Sequence, residues 1–325
     1  MSRRDIIAIG GFLGAVEAVR KLCRDLPADL AATLFIFIHV GTRGKNLLAG
    51  IIYAQSALSV RTAVDDEILR RGHVYVAPPD RHLLVMGDVI KLGRGPRENM
   101  ARPAIDPLFR SVGMSCGPRC IAVVLSGLLN DGAAGLADVK RCGGTTVVQN
   151  PADAAAQDMP RGALTTSDVD YRADIADMGP LLVRLAGEDA GAAAEIPEDI
   201  KGEVAIALGR RADSTVLAKL AEPVALTCPD CGGVLSQMKR SPPLRFRCQV
   251  GHAYTAEALV TEKDGPLDEA VRVALRIMEE RALLTEKMAD DARRDGREAA
   301  ASSLLQRASE SRAYAQTLRR GLEQS

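Results

Sequence analysis

Three cysteines and a histidine lie in two short pairs in the last third of the chain. Cys228 and Cys231 are separated by two residues, and Cys248 and His252 by three. Thiolate and imidazole ligands in two such pairs are typical of a tetrahedral zinc site, and the residues between them are typical of a zinc ribbon. Because protein groups fill all four positions, we expect a structural Zn²⁺, with a reduced cluster that holds no metal as the alternative.

A histidine and an aspartate follow two apolar segments that have the composition of buried strands. His39 ends the segment 33–38, and Asp131 lies in the turn after the segment 120–125. At neighbouring strand ends, such a pair can act as the base and the orienting acid of a hydrolytic site. Taken alone the pattern is weak, because a histidine at a strand end and an aspartate before glycine are also common structural residues.

A hydrolytic triad also needs a nucleophile, which the turn after the first strand would carry. That turn reads Gly10-Gly-Phe-Leu-Gly14 and contains no serine, cysteine or threonine. Thr42 and Ser126 lie in neighbouring loops outside this turn, so we do not expect either to replace the nucleophile. The turn also lacks the G-x-G-x-x-G spacing of dinucleotide binders, and His39 stands where they carry an acidic residue.

Short apolar segments alternate with helical segments over the first part of the chain. Continuous apolar strands predict an α/β fold with a doubly wound, mostly parallel sheet covered on both faces. A hairpin-like pair of strands is predicted over 73–77 and 82–92. Sites in such sheets lie at the carboxyl ends of strands, where His39 and Asp131 are expected.

The sequence pattern changes after the α/β segment. We predict an α/β domain over 1–186, a linker over 187–225, a zinc ribbon over 226–256 and a helical hairpin tail over 257–325. In the tail, apolar residues spaced three and four apart predict two amphipathic helices joined at Asp295-Gly296. Pro266 suits the first turn of the first helix. The apolar face over 266–322 favours a homodimer or a partner contact.

The composition narrows the classes of function. Lysine plus arginine and aspartate plus glutamate each total 42, and aromatic residues make up 3% with no tryptophan. A nucleic-acid partner is therefore not expected, because such binders usually have a basic excess and stacking aromatics. No apolar run has the length of a membrane span, and the start of the chain fits a buried strand better than a signal peptide. The odd number of cysteines favours free thiols and metal in a cytoplasmic protein.

The chain resembles the CheB-type protein-glutamate methylesterase family over residues 5–186. The segments that carry the resemblance are Ile9-Gly-Gly-Phe-Leu-Gly14, Gly72-His-Val-Tyr-Val-Ala-Pro-Pro-Asp-Arg-His82, Arg102-Pro-Ala-Ile-Asp-Pro-Leu-Phe-Arg110, Ser126-Gly-Leu-Leu-Asn-Asp-Gly-Ala-Ala-Gly135, Gln149-Asn-Pro-Ala152 and Met159-Pro-Arg161. The resemblance implies a site in which His39 and Asp131 are the triad histidine and aspartate. It also implies methyl-ester hydrolysis or deamidation on receptor glutamates in chemotaxis-type signalling, with a methyl-accepting receptor or another signalling protein as partner.

The chain departs from the family pattern at the positions that matter most for chemistry. Phe12 occupies the serine position, and a phenylalanine cannot attack an ester. Leu128 and Leu129 replace a methionine and a glycine near the expected oxyanion site. The chain resembles a subgroup without the N-terminal receiver domain. We therefore expect an impaired or inactive methylesterase, or a non-catalytic regulatory protein that acts through the same cleft and the helical tail.

Overall fold

The secondary structure follows the predicted alternation of strands and helices. The computed structural model describes residues 2–39, 47–210, 214–240 and 242–324. The first elements are β1 Ile6–Gly11, α1 Ala15–Asp25, β2 Thr33–Ile38, α2 Leu48–Tyr53, β3 Ser59–Thr62, β4 His73–Val76, β5 His82–Met86, β6 Val89–Gly93, α3 Ile105–Cys116, β7 Cys120–Val124, α4 Ala133–Arg141, β8 Thr145–Gln149, α5 Asp158–Thr166, β9 Tyr171–Ala173 and α6 Ile175–Gly187. They are followed by α7 Glu198–Leu208, α8 Ser214–Leu220, β10 Ala221–Thr227, β11 Val234–Met238, β12 Arg245–Cys248, β13 Ala253–Thr255, α9 Ala256–Arg294 and α10 Glu298–Gln324.

Seven strands form one sheet in the order β3-β4-β2-β1-β7-β8-β9. All six pairings are parallel, which confirms the predicted doubly wound α/β fold. From β1 the chain continues to β2 on one side of the sheet, and it later returns to β7 on the other. The carboxyl ends of β1, β2 and β7 therefore meet where the strand order reverses, which is where such folds place their sites.

Strand β1 shows why the sheet needs helices on both faces. Its residues are all buried, and successive side chains point to opposite faces. Ile7 and Ile9 belong to the core that contains residues of α1, α2 and α6. Ile6 and Ala8 belong to the core that contains residues of α3, α4 and α5.

The hairpin-like pairing predicted between 73–77 and 82–92 is wrong. Strand β4 pairs in parallel with β2 and β3, while β5 and β6 pair with each other as a separate hairpin. The turn of that hairpin contains Gly87 at φ 62°, a conformation that glycine adopts easily. Val74, Tyr75 and Val76 are buried, as expected for a strand covered on both faces of a parallel sheet.

A second sheet, of four antiparallel strands, contains the two cysteine-bearing segments. Its order is β10-β11-β12-β13, and we call residues 221–255 the Cys/His module. The chain divides into two compact units, residues 1–259 and residues 260–325. The module therefore belongs to the same unit as the parallel sheet. Helices α7 and α8 occupy part of the segment 187–225, which we predicted to be a linker.

Six buried charged residues join the module to the parallel-sheet part of the unit, and we call them the buried ion network. They are Glu98, Arg110, Asp138, Glu203, Arg245 and Arg247. Glu203 on α7 accepts from Arg245 at 2.8 and 2.9 Å and from Arg247 at 2.8 Å. Three arginines face three carboxylates, so their formal charges cancel within a region that excludes water.

The tail contains the two predicted helices, but the first begins earlier than we predicted. Pro266 lies inside α9, which starts at Ala256. The Thr255 hydroxyl accepts the backbone N–H of Ala258 at 3.3 Å and caps this helix. Among the described residues, no helix is long and apolar enough to cross a membrane.

The two tail helices pack antiparallel through small residues. Their buried residues include Ala282, Ala289, Ala301, Ala308 and Ala315. The cross-helix pairs Arg312–Glu286 and Arg319–Glu279 set a register in which α10 ends near residue 274 of α9. Leu267, within the apolar face that we predicted over 266–322, is therefore beyond the reach of α10 and is 62% exposed.

Candidate functional site

The structure brings His39 and Asp131 together at the predicted edge of the sheet, and we call them the strand-end pair. His39 follows β2 and donates its backbone N–H to Gly11 O at 3.0 Å. Its Nε2 lies 2.7 Å from Oδ2 of Asp131. The side chains are 19% and 7% exposed, so the pair reaches solvent only at the imidazole.

Asp131 is held by three further donors besides His39. The backbone N–H of Ile105 donates to Oδ2 at 2.8 Å, and the N–H of Asp106 to Oδ1 at 3.3 Å. Asn99 Nδ2 donates to Oδ1 at 3.0 Å. Because Ile105 and Asp106 begin α3, the carboxylate also sits at the positive end of a helix dipole. Burial raises the pKa of Asp131, but the His39, Ile105 and Asn99 donors outweigh burial and hold this pKa below its usual value.

A second carboxyl group lies beside Asp131 and behaves differently. Asp106 accepts the N–H of Gly135 at 2.7 Å and shares the Asn99 Nδ2 donor at 3.0 Å. Complete burial and the neighbouring Asp131 charge raise the pKa of Asp106 to about 7. Of the two neighbouring carboxyls, Asp131 therefore carries the charge and faces His39, while Asp106 gains a proton first.

The ionised state of Asp131 determines where the imidazole proton lies. A carboxylate only accepts hydrogen bonds, so the 2.7 Å contact requires the proton to be on His39 Nε2. The other ring nitrogen, Nδ1, is then the one that can accept a proton from a nucleophile or from water.

Phe12 follows β1, in the turn where we expected a hydrolytic triad to carry its nucleophile. Its ring meets the His39 imidazole edge to face, with centroids 5.4 Å apart and planes at 70°. Phe37 packs on the same imidazole at 4.6 Å. Two aromatic rings therefore pack against the histidine.

The loop after β7 offers no substitute nucleophile. Ser126 is 1% exposed, and its hydroxyl donates to Leu13 O at 2.6 Å and accepts the Ala156 N–H at 2.9 Å. These contacts fix the loop and occupy the hydroxyl. Leu128 is 42% exposed, and Leu129 adopts φ 60° in the region that favours glycine. Thr42, the other serine or threonine that we considered, lies outside the described residues.

The four predicted metal ligands also meet. The ligand atoms of Cys228, Cys231, Cys248 and His252 all lie within 4.8 Å of one another. Cys231 Sγ is 3.7 Å from Cys248 Sγ, and His252 Nδ1 is 3.7 Å from Cys228 Sγ and 3.5 Å from Cys248 Sγ. Zn–S bonds near 2.3 Å and Zn–N bonds near 2.0–2.1 Å at tetrahedral angles give edges of about 3.5–3.8 Å. The donor set and its spacing therefore fit a tetrahedral zinc.

Two turns of the chain produce this geometry. Gly232 at φ 69° and Gly251 at φ 106° occupy left-handed positions in the turns that follow Cys228 and Cys248. The Cys228 carbonyl accepts the N–H of Gly232 at 2.8 Å, and the Cys248 carbonyl accepts the N–H of Gly251 at 2.9 Å. Burial lowers the pKa of His252, which favours the neutral imidazole that a metal needs.

We did not predict a role for the residues that surround Asp131. Asn99, Asp106, Asn130 and Thr255 all take part in its hydrogen-bond environment. Asp106 lies in one of the family-like segments, so that segment was the available signal. No sequence signal pointed to Asn99 and Thr255, because they are 156 residues apart in sequence and meet only in the fold.

Comparison with known proteins agrees with this fold. Residues 7–182 match the family model described as CheB methylesterase. The catalytic domain of CheB methylesterase from Thermotoga maritima superposes with a TM-score of 0.55 and 26% identity, covering 57% of this chain and all of that one. The chain thus belongs to the CheB methylesterase family.

Sequence relatives support the same assignment. A Leptospira interrogans protein, provisionally named a protein-glutamate methylesterase/protein-glutamine glutaminase, is 34% identical over 182 residues, 56% of this chain and 94% of its own length. Proteins with that name from Anaeromyxobacter dehalogenans and Yersinia pestis are 36% and 33% identical, and the match spans about half of each, 50% and 54%. The family match ends at residue 182, before the Cys/His module begins.

Proposed function

We propose that this chain is a CheB-type protein that keeps the acid–base pair and lacks the nucleophile. It would bind methyl-esterified or amidated glutamate side chains of a methyl-accepting receptor or related signalling protein, with little or no hydrolysis. The observation that carries this proposal is the edge-to-face packing of Phe12 on His39, with centroids 5.4 Å apart. An aromatic ring fills the position from which a serine hydroxyl would attack.

The strand-end pair alone could still support one reaction, the slow attack of water on the ester. With its proton on Nε2 and Asp131 behind it, His39 can present Nδ1 as a general base to water. Attack by water, without a covalent intermediate, is much slower than attack by an activated serine. Loss of a triad nucleophile typically costs several orders of magnitude in rate, leaving what binding and oxyanion donors provide.

The test is a methanol-release assay on a receptor fragment that carries glutamate γ-methyl esters. We expect no measurable turnover for the wild type or for Phe12→Ala, which opens the space without adding a hydroxyl. Phe12→Ser should give a small gain that disappears when His39→Ala is added. Robust wild-type hydrolysis that His39→Ala abolishes would overturn the proposal, because it would assign the attack to another nucleophile or to a His39-activated water.

A non-catalytic binding role is the second candidate, and one observation favours it. Leu13 follows Phe12 in the chain and Leu128 lies in the loop after β7, and they are 53% and 42% exposed. Exposed apolar side chains near a site are typical of protein contact rather than of small-molecule chemistry. Binding of the receptor fragment that weakens in Leu128→Asp, with no hydrolysis in the wild type, would support this role.

We also propose that the Cys/His module binds one structural Zn²⁺ per chain. Cys228, Cys231, Cys248 and His252 would hold it, and their spacing supports this assignment. With all four positions supplied by protein, the metal would stabilise the module and take no part in catalysis. Elemental analysis of purified protein tests this directly, and no stoichiometric metal would reject it.

The remaining assignments stay predictions. The metal-binding thiols support a cytoplasmic location, where cysteines stay reduced. Self-association through residues 266–322 is supported by a stripe of exposed residues on α9, Val273, Ile277, Leu284 and Met288. The solution mass of the full chain, compared with that of Ile277→Glu/Leu284→Glu, tests it. Equal monomeric masses for both would exclude a homodimer through this face.

A further inference from the structure

The Cys/His module makes direct contact with the residues that hold Asp131. Thr255, the last residue of β13, is fully buried. Its backbone N–H donates to Asn99 Oδ1 at 3.0 Å, and its hydroxyl donates to Asn130 Oδ1 at 2.6 Å. Asn99 in turn donates to Asp131, and Asn130 precedes Asp131 in the chain. Thr255 therefore holds both Asn99 and Asn130, the two residues next to the Asp131 carboxylate.

We propose that the module is the positioning element of the strand-end pair, with Thr255 as the residue that fixes Asn99 and Asn130 and through them Asp131. The inference rests on the proposed role of His39 and Asp131 as the working pair. It adds that the geometry of this pair depends on a part of the chain outside the family match, which ends at residue 182.

The turn that carries Asn99 supports this dependence. Asn99 and Met100 have φ 48° and 64°, and Glu98 and Ala101 exchange backbone hydrogen bonds at 3.1 and 3.0 Å. This is the pattern of a type I′ turn, whose central residues are usually Asn and Gly. A methionine at the second position is strained, and such strain persists where surrounding contacts hold it.

The module supplies two of those contacts. The Asn99 backbone N–H donates to Ala253 O at 2.8 Å, and its side-chain oxygen accepts from Thr255. Ala253 also donates its N–H to Arg97 O at 3.2 Å. With its oxygen held in this way, the Asn99 amide nitrogen must point toward Asp131 and Asp106, to which it donates at 3.0 Å each.

The other side of the pair is held by the start of α9. Asn130 Nδ2 donates to Glu257 Oε2 at 2.6 Å, while Asn130 Oδ1 accepts the Thr255 hydroxyl. Asn130 is 6% exposed, so loss of the Thr255 hydroxyl would leave a buried amide oxygen without this donor. The expected consequence is a shift of the Asn130–Asp131 backbone and a weaker contact from His39 to Asp131.

Three of the four histidines of the chain provide matched reporters for a test by NMR with ¹⁵N-labelled histidine. His39 reports the pair and His252 reports the module. His73 begins β4, at the amino end of the strand and so at the opposite edge of the sheet from the pair, and serves as the internal control. The readout is the His39 tautomer and the exchange rate of its Nε2 proton, neither of which requires turnover. A failed methyl-ester assay therefore leaves this test intact.

The variants are Thr255→Val, which keeps the shape and removes the hydroxyl, and Thr255→Ser, which restores it. In the zinc-loaded full chain we expect Thr255→Val to speed exchange of the His39 Nε2 proton about tenfold, equivalent to about 1.4 kcal/mol. Thr255→Ser should return the rate to that of the wild type, and His73 should not change. His39 signals that stay unchanged in Thr255→Val, with the protein folded, would overturn the proposal.

Glu257→Ala decides the matter if Thr255→Val fails to fold, since all four histidine signals would then collapse together. Glu257 follows the module at the start of α9, is exposed, and its replacement removes only its contact to Asn130. A smaller acceleration at His39, in the same direction and without change at His73, supports positioning of Asp131 through Asn130. No acceleration at His39 rejects it.

Discussion

The Cys/His cluster and the strand-end pair are assembled over very different lengths of chain. Each half of the cluster comes from one short turn, and the two turns are 16 residues apart between Cys231 and Cys248. The strand-end pair joins residues 92 apart, and its supporting contact from Thr255 to Asn99 spans 156. A local site can keep its geometry wherever its turns survive, whereas a distant one depends on every element that carries it.

The two regions also differ in which residue types occupy the left-handed backbone positions. In the described part of the module, the left-handed positions are glycines, Gly232 and Gly251. Around the strand-end pair they include Gly14 and Gly132 but also Asn99, Met100 and Leu129, and these three non-glycine residues adopt this conformation at a cost. Strain of this kind is typical of functional sites that surrounding contacts hold in place. The cluster's turns thus rely on glycine alone, whereas the loops around the pair also hold non-glycine residues in this conformation.

The largest expected effect is loss of the cluster. Cys231→Ser should abolish stoichiometric zinc and, with it, a binding free energy on the order of 10 kcal/mol that stabilises the module. Hydrogen exchange should become fast in β11, β12 and β13, while β1 and β7 keep most of their protection. The matched control is Cys23→Ser, a buried cysteine outside the cluster, which should retain one zinc. A Cys231→Ser protein that retains full zinc and module protection would contradict the assignment.

The next largest effect concerns the buried ion network, which joins the Cys/His module to the parallel-sheet part of the unit. Glu203→Gln removes one of three buried negative charges and leaves Arg245 and Arg247 without full compensation. Breaking one partner of a buried pair typically costs about 3–5 kcal/mol, so we expect a large drop in the free energy of unfolding by denaturant. Glu198→Gln, at the exposed start of the same helix, should change stability by less than about 0.5 kcal/mol. Equal stabilities of the two variants would show that the network does not hold the module.

The same network predicts how stability varies with pH. Burial raises the pKa of Glu98, but Arg247 and Arg110 outweigh it and lower that pKa to about 2, and the pKa of Glu203 is also well below its usual value. A carboxyl with a depressed folded pKa binds protons first in the unfolded chain. The network's contribution is therefore complete above pH 4.5 and is lost as the pH falls toward 2. The stability deficit of Glu203→Gln should shrink over this interval, whereas that of Glu198→Gln should stay constant.

How much could be predicted from the sequence differs between the two regions for the same reason. The meeting of the four candidate metal ligands was predictable because each pair is local and its spacing is chemically specific. The doubly wound sheet and the positions of His39 and Asp131 followed from apolar strands and where they end. The pairing of β4 with β2 and β3 could not be predicted, because a buried strand can pair with any neighbour that the rest of the fold provides.

The contacts between the regions were not predictable from local pattern. Arg245 and Arg247 flank Phe246 in β12, and alternation alone would place two arginines on an exposed face. They are buried because Glu98 and Glu203, from distant elements, neutralise them. Asn99 is similar, since its sequence neighbours give no sign of Thr255. Such pairings are decided by tertiary packing, and one sequence without relatives does not reveal them.

The smallest effect tests the strain itself. Leu129 has φ 60°, a conformation that costs an L-residue roughly 1–2 kcal/mol and costs glycine almost nothing. Leu129→Ala loses the half-buried side chain and keeps the strain, whereas Leu129→Gly loses the same contacts and relieves it. We therefore expect the glycine variant to be more stable by about 1 kcal/mol, or roughly 2–4 °C in Tm for a unit of this size. At the neighbouring Leu128, where φ is not positive, the order should reverse because glycine is the more flexible residue when unfolded. If Leu129→Ala is as stable as Leu129→Gly or more stable, the loop beside Asp131 carries no strain. The contrast with the glycine turns of the module would then not hold.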